Sequence, residues 1–239
     1  MTHTSLGFCF PGRWVGGVSL IVGPLVLLAG VLLRTQFHFF FPQQLAAYRD
    51  HPDLISAAYS CVLAGNLLLF PGILALANRI GVTRPGWALA GGLFVLFGLF
   101  ARIFHAGVDH LAFQLVRVEG LEAATRAIAG SYGAFHIVQA LNGAILFGWI
   151  ILAAGSYLSG VLSLVRSIAL ALMSALMIGV LKGTSPVSIV SVSGLVIALV
   201  PLGIELVREP PRPGARTVIA WSAAVVGLIG AFTWLGTQG

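Results

Sequence analysis

Apolar residues fall along this chain in seven long blocks, at 14–33, 54–78, 86–113, 133–157, 161–181, 187–207 and 217–236. Each is close to the roughly 20 residues a helix needs to cross a bilayer. None has the short apolar–polar alternation of a membrane β-barrel strand. The pattern predicts an all-α, polytopic transmembrane helix bundle of seven spans, forming one integral-membrane domain over residues 1–239. Only Ser159 and Gly160 separate the fourth block from the fifth, so a six-span version that fuses or re-enters there is the alternative. The first block is long enough to span and no small-x-small cleavage pattern follows it, which predicts a retained helix.

Composition sharpens the class. Hydrophobic residues make up 58% of the chain, charged residues 8%, and mean hydropathy is +1.00. Soluble domains carry about 25% charged residues, so a water-soluble enzyme is excluded, as are disorder and nucleic-acid binding. The excess of 13 Lys+Arg over 7 Asp+Glu reads as membrane topology. Cys9 and Cys61 are too few for a disulfide framework.

Basic residues collect on the cytoplasmic side of membrane helices. With the N-terminus inside, Arg13, Arg79, Arg84, Arg166, Arg208, Arg212 and Arg216 lie inside, against Arg34, Arg49, Arg117, Arg126 and Lys182 outside. The expected topology is N-terminus inside and C-terminus outside, in the plasma membrane of a prokaryote. The long connections 34–53 and 114–132 then share the outer face, and the second holds a short amphipathic stretch from Glu119 to Ala129.

Small residues mark helix contacts. Gly16, Gly23 and Gly30 recur every seven residues, as do Gly91, Gly98 and His105, and His136 and Gly143. They predict close packing, or a cavity lined by small residues beneath the histidines.

Ionisable groups at membrane depth are costly and are functional candidates by default. Arg102, His105 and Asp109 fall on one face of the third span, with His105 and Asp109 an i,i+4 pair; His110 and Gln114 lie on the adjacent face. Tyr132, His136, Gln139 and Asn142 answer from the fourth span at helical spacing. Folding the two spans about a loop centred near residue 123 sets His110 level with His136, and His105 level with Gln139 to Asn142. His38, Asp50, His51 and Asp53 could roof the pocket.

Three chemistries suit these residues. An imidazole oriented by a carboxylate serves acid/base catalysis, with His105, Asp109 and His136 as catalytic groups and Arg102, His110, Tyr132, Gln139 and Asn142 binding substrate. The same His105, Asp109 and His136 could hold a divalent metal, although no His-Glu-x-x-His is present. Haem between His110 and His136 is a further option. The bland reading is that Arg102 and Asp109 neutralise each other and His105 is a hydrogen-bonded spacer. Glu205 reads as a helix-end ion-pair partner near Arg208, Cys61 as apolar filler, and Asn66 and Pro71 as a possible break in the second span.

The leading expectation is a membrane-embedded enzyme acting on a hydrophobic or lipidated substrate from a His/Asp pocket in the outer half of the bilayer. The alternative is a non-enzymatic membrane protein, either a small proton-coupled transporter or a binding or immunity-type partner, whose polar cluster is structural.

Overall fold

The computed structural model describes residues 9–131, 136–210 and 213–238. Among them every regular element is helical. Six helical stretches are long and apolar enough to cross a bilayer: Arg13–Leu33, Pro52–Gly81, Pro85–Glu119, Ile137–Leu158, Pro186–Arg208 and Ala215–Gly236. The chain is thus a helical protein of integral-membrane type. Its contacts divide it into two units, residues 1–207 and 208–239. The second unit holds the helix Ala215–Gly236.

In the first unit, α1 (Arg13–Leu33) packs along α3 (Pro52–Gly81), α3 on α4 (Pro85–Glu119), and α4 on α6 (Asn142–Leu158). Two short helices, α2 (Gln43–Asp50) and α5 (Leu121–Ser131), sit in the connections. Proline at the first turn starts α3 and α4, where its missing N–H costs nothing. The glycine spacing does what it predicts on α1. A Cβ on Gly30 would lie 2.7 Å from Ala58 O and Val62 N, and Gly16 and Gly23 face the same helix at Ala75 and Leu69. On α4, Gly91 and Gly98 meet Leu152 and Ile145 of α6. Gly143 meets nothing within 4 Å, so its spacing from His136 marks no contact.

Large apolar side chains also point outward. Leu93, Phe97, Phe100, Phe104 and Leu111 form an exposed face on α4, as a helix in lipid requires. At about 1.5 Å per residue α4 is roughly 50 Å long, well beyond the ~30 Å hydrocarbon core. Its last turns meet α2 and α5 in a separate apolar cluster, with Phe113 stacked on Tyr48 at 4.7 Å and edge-on to Tyr59 at 4.8 Å. The expected loop 114–132 is therefore largely helix, and α5 falls on its amphipathic stretch.

Two expected spans are built differently. In the fourth, the described residues begin at 136. His136 is extended (φ −142°, ψ 151°), a 3-10 turn covers Ile137–Leu141, and α6 starts only at Asn142. The helical register that was to align Tyr132, His136 and Gln139 is absent from the part described, and Tyr132 lies outside the described residues.

The fifth block, 161–181, is not one helix. α7 covers Leu164–Ala171, a 3-10 turn follows at Leu172–Ala175, and residues 176–185 are irregular up to α8 (Pro186–Arg208). The helical part, Leu164–Ala175, spans only about 18 Å. Gly179 (φ 106°) and Leu181 (φ 49°) both sit in the left-handed region, which an α-helix cannot contain.

The two ends of this segment lie at opposite ends of the unit. Arg166 donates to the Ala198 carbonyl (3.0 and 3.2 Å) and approaches Glu205 at 3.4 Å. At the other end Thr184 donates to Val31 O (2.8 Å) and the Gly183 N–H donates to Phe39 O (2.8 Å). α8 returns antiparallel to α1, with Gly203 against Gly17 and Ile21.

Candidate functional site

The irregular stretch carries backbone groups that no helix satisfies, and unsatisfied backbone is expensive away from water. Side chains of α1, α3 and α4 supply the partners. Arg102 donates to the carbonyls of Leu176 and Met177 (both 3.2 Å), just past the end of the 3-10 turn. Asp109 accepts the Leu181 N–H at 2.5 Å. Arg34, at the end of α1, donates to the Lys182 carbonyl (3.0 Å) and Thr184 Oγ1 (3.3 Å). Its guanidinium lies 4.7 Å from the centre of the Tyr59 ring. The Tyr59 hydroxyl reaches the Lys182 carbonyl (3.2 Å) and Gln44 Oε1 (3.3 Å).

Arg102 and Asp109 are thus occupied with the backbone of the fifth segment. Among the described residues no ion pair within 4.0 Å joins them to each other. The expectation that Arg102 and Asp109 neutralise each other is not met: each bonds to backbone of the fifth segment instead. His105 and Asp109 are also not hydrogen-bonded, although both are buried, at 8% and 6% exposure.

Between α1, α3, α4 and the irregular stretch lies a cavity of about 60 Å³. At roughly 10–15 Å³ per water, it has room for a few waters. Arg34, Tyr59, Asn66, Arg102, His105, Asp109, Lys182 and Ser188 contribute its polar wall, and Leu27, Val31, Val62 and Leu176 its apolar wall. Asn66 donates to Val62 O (2.8 Å), while its buried Oδ1 has no partner. No hydrogen bond to His105 is found among the described residues.

The remaining expected site residues scatter. His136 is level with Phe104, ring centroids 4.9 Å apart, about two turns from the His110 level that symmetric folding predicts. The shift follows from the irregular start of the fourth span. His136 lines no part of the cavity; its Nδ1 and the Asn142 Oδ1 are buried and unpartnered among the described residues. His110 is exposed. Gln139 is half-buried in the 3-10 turn.

The roof is also different. Asp53 and Gln114 line a separate groove of about 470 Å³ with Arg49 and Arg117. Asp50 pairs with Arg49 at 2.8 Å, and that hydrogen bond lowers the carboxyl's pKa. Phe39 and Gln44 instead lie against Gly183, so the 34–53 connection does cover the cavity end, through other residues. Among the described residues no group of three His, Cys, Asp or Glu converges as a metal site would need. Glu205 pairs with Arg166, not Arg208.

Sequence reasoning missed Arg34, Tyr59, Lys182 and the backbone of 176–185. One signal was available: Gly179, Gly183, Thr184, Ser185 and Pro186 cluster at the end of the fifth block, and such a cluster stops a helix. No family model, curated protein or solved structure matches this chain.

Proposed function

We propose that this protein is an integral-membrane solute-binding protein of transporter type, with its site at the break in the fifth segment. The observation that carries the reading is the combination of irregular backbone and a polar cavity at residues 176–185. Non-helical chain at membrane depth is tolerated where it is buried in protein or lines a watery cavity. Discontinuous spans of this kind are where transporters place their sites. The unpartnered Asn66 Oδ1 and the unbonded His105 ring are what a polar occupant would meet.

The topology that goes with it is seven crossings, the fifth half helix and half irregular, with the N-terminus inside and the C-terminus outside. The Arg excess on the inner connections supports it.

A membrane-embedded enzyme is the second reading. It is favoured by one observation, the His105 imidazole facing the cavity without a hydrogen bond, free to exchange a proton. It would have to work without the His105–Asp109 dyad and within a small polar cavity, which argues against a bulky hydrophobic or lipidated substrate.

Water access tests the site. In a Cys9→Ser, Cys61→Ala background, Ala106→Cys faces the cavity and Leu93→Cys faces outward from α4. A charged thiol reagent reacts with thiolate, which needs water. We expect Ala106→Cys to label in membranes and Leu93→Cys to stay unlabelled. Equal silence at both positions sinks the solute site.

A further inference from the structure

The cavity has a charge imbalance. Three cationic residues, Arg34, Arg102 and Lys182, line it, against one carboxylate, Asp109. Their commitments differ. Arg102 spends both terminal nitrogens on carbonyls, and Arg34 spends Nε and one terminal nitrogen. Asp109 turns one oxygen to the Leu181 N–H. Lys182 is the group left over. Its ammonium lies 4.3 Å from the centre of the Phe40 ring, and no acceptor for it is found among the described residues. It is half-buried, held at the cavity by a backbone that Arg34 and Tyr59 both grip through the Lys182 carbonyl.

An ammonium on an aromatic face gains about 0.5–2 kcal/mol and keeps its three donors unused. The Arg34 guanidinium, packed on the Tyr59 ring, adds a second positive charge beside it. Charge-assisted hydrogen bonds to an anionic oxygen are roughly twice as strong as neutral ones. The positive end of α8 adds to the field: Ser188 lines the cavity from the first turn of that helix.

Resting on the site proposed above, we infer that its ligand is a small oxyanion, a carboxylate or phosphate group, anchored by the Lys182 ammonium in the positive field of Arg34 and Arg102. Such a group could belong to a soluble anion or to a lipid headgroup reaching in from the bilayer. Lys182 is the specificity-determining residue. It is also the only lysine in the chain, and a lysine offers a compact, reorientable charge where arginine offers a fixed fork.

The experiment uses the purified full chain. Calorimetric titration at constant ionic strength takes inorganic phosphate, acetate and succinate as soluble probes, with glycerol and choline as neutral and cationic ones. Native mass spectrometry from nanodiscs of phosphatidylcholine alone, or mixed with phosphatidylglycerol, reads lipid retention. We expect saturable binding of one oxyanion or selective retention of the anionic lipid, and which arm responds identifies the source. Lys182→Gln should weaken it about tenfold or more, Lys182→Arg should restore part of it, and the thermal unfolding of the empty variants should match wild type.

Binding unchanged in Lys182→Gln overturns the inference. So does the failure of every oxyanion and anionic lipid. If glycerol or choline binds instead and Asn66→Ala or His105→Ala removes it, the oxyanion inference fails and the solute site stands. If nothing binds and Ala106→Cys does not label, the site itself fails.

Discussion

At the scale of single residues, the charges in the third span divide by what they touch. Asp109 accepts one buried N–H, from a leucine held at φ 49°. A non-glycine residue there costs of order 1–3 kcal/mol and persists only if its surroundings over-determine it. Asp109→Asn keeps an acceptor oxygen; Asp109→Leu does not. An orphaned buried donor costs about 1–3 kcal/mol. The expected outcome is a clear loss of thermal stability in Asp109→Leu and a small one in Asp109→Asn, measured in the same detergent. Arg102→Met should behave like Asp109→Leu, because it strands the Leu176 and Met177 carbonyls.

His105 is the opposite case. It makes no hydrogen bond among the described residues, so His105→Gln, which keeps most of the side-chain volume, should leave the melting temperature nearly unchanged while altering binding or activity. Glu205 is a control. Its contact with Arg166 is solvent-exposed, at 58% for the glutamate side chain, and exposed pairs contribute roughly 0–1 kcal/mol. Glu205→Ala should be close to silent in thermal unfolding; a large drop would mean the end of α8 depends on it.

At the scale of elements, helix contacts were readable from the chain wherever glycine spacing met a straight helix. Gly30 is the sharpest example, since added bulk there meets backbone, which cannot rotate away. Overpacking of this kind costs about 1–3 kcal/mol. Gly30→Ala should lower the unfolding temperature, and Gly143→Ala, with open space around it, should not. Equal effects at the two positions would break the packing account of α1 on α3.

The same reasoning failed where the helix itself fails. The spacing of Arg102, His105 and Asp109 located three cavity residues because α4 is continuous through them. The same spacing at His136 and Gln139 located neither, because His136 is extended and a 3-10 turn follows it. Hydropathy cannot distinguish a buried helix from buried irregular chain, since Leu176, Met177, Ile178, Val180 and Leu181 are apolar in either state. What distinguishes them is the supply of partners from Arg34, Tyr59, Arg102 and Asp109. Those residues are about 75 to 150 positions away along the chain, so the site could not be read from local pattern. Gly183 shows the same dependence. A Cβ there would lie 2.6 Å from Gln44 Nε2 and 2.7 Å from Phe39 Cα, a constraint visible only once the 34–53 connection is in place.

At the scale of the whole molecule, the fifth segment decides the parity of the chain. Arg166 at its start sits by Ala198 and Glu205, while Thr184 at its end sits by Val31. α8 then runs back so that Gly203 meets Gly17. If each traverse of the unit is a traverse of the bilayer, Gly17 and Gly203 lie towards one face, that of Arg13, which the positive-inside rule makes cytoplasmic. The apolar helix Ala215–Gly236 would then cross once more and leave the C-terminus outside. A segment that dipped in and returned to its starting face would reverse everything after it. Paired fusions separate the two cases. Green fluorescent protein matures in the cytoplasm, whereas alkaline phosphatase is active outside it. After Ser159 the fluorescent fusion should be bright and the phosphatase silent; after Gly183 and after Gln238 the pattern should invert. Fluorescence at Gly183 would make the fifth segment re-entrant and place Lys182 on the cytoplasmic side. Inversion at Gly183 with fluorescence at Gln238 would keep the broken crossing and remove the last one, leaving the solute site where it is.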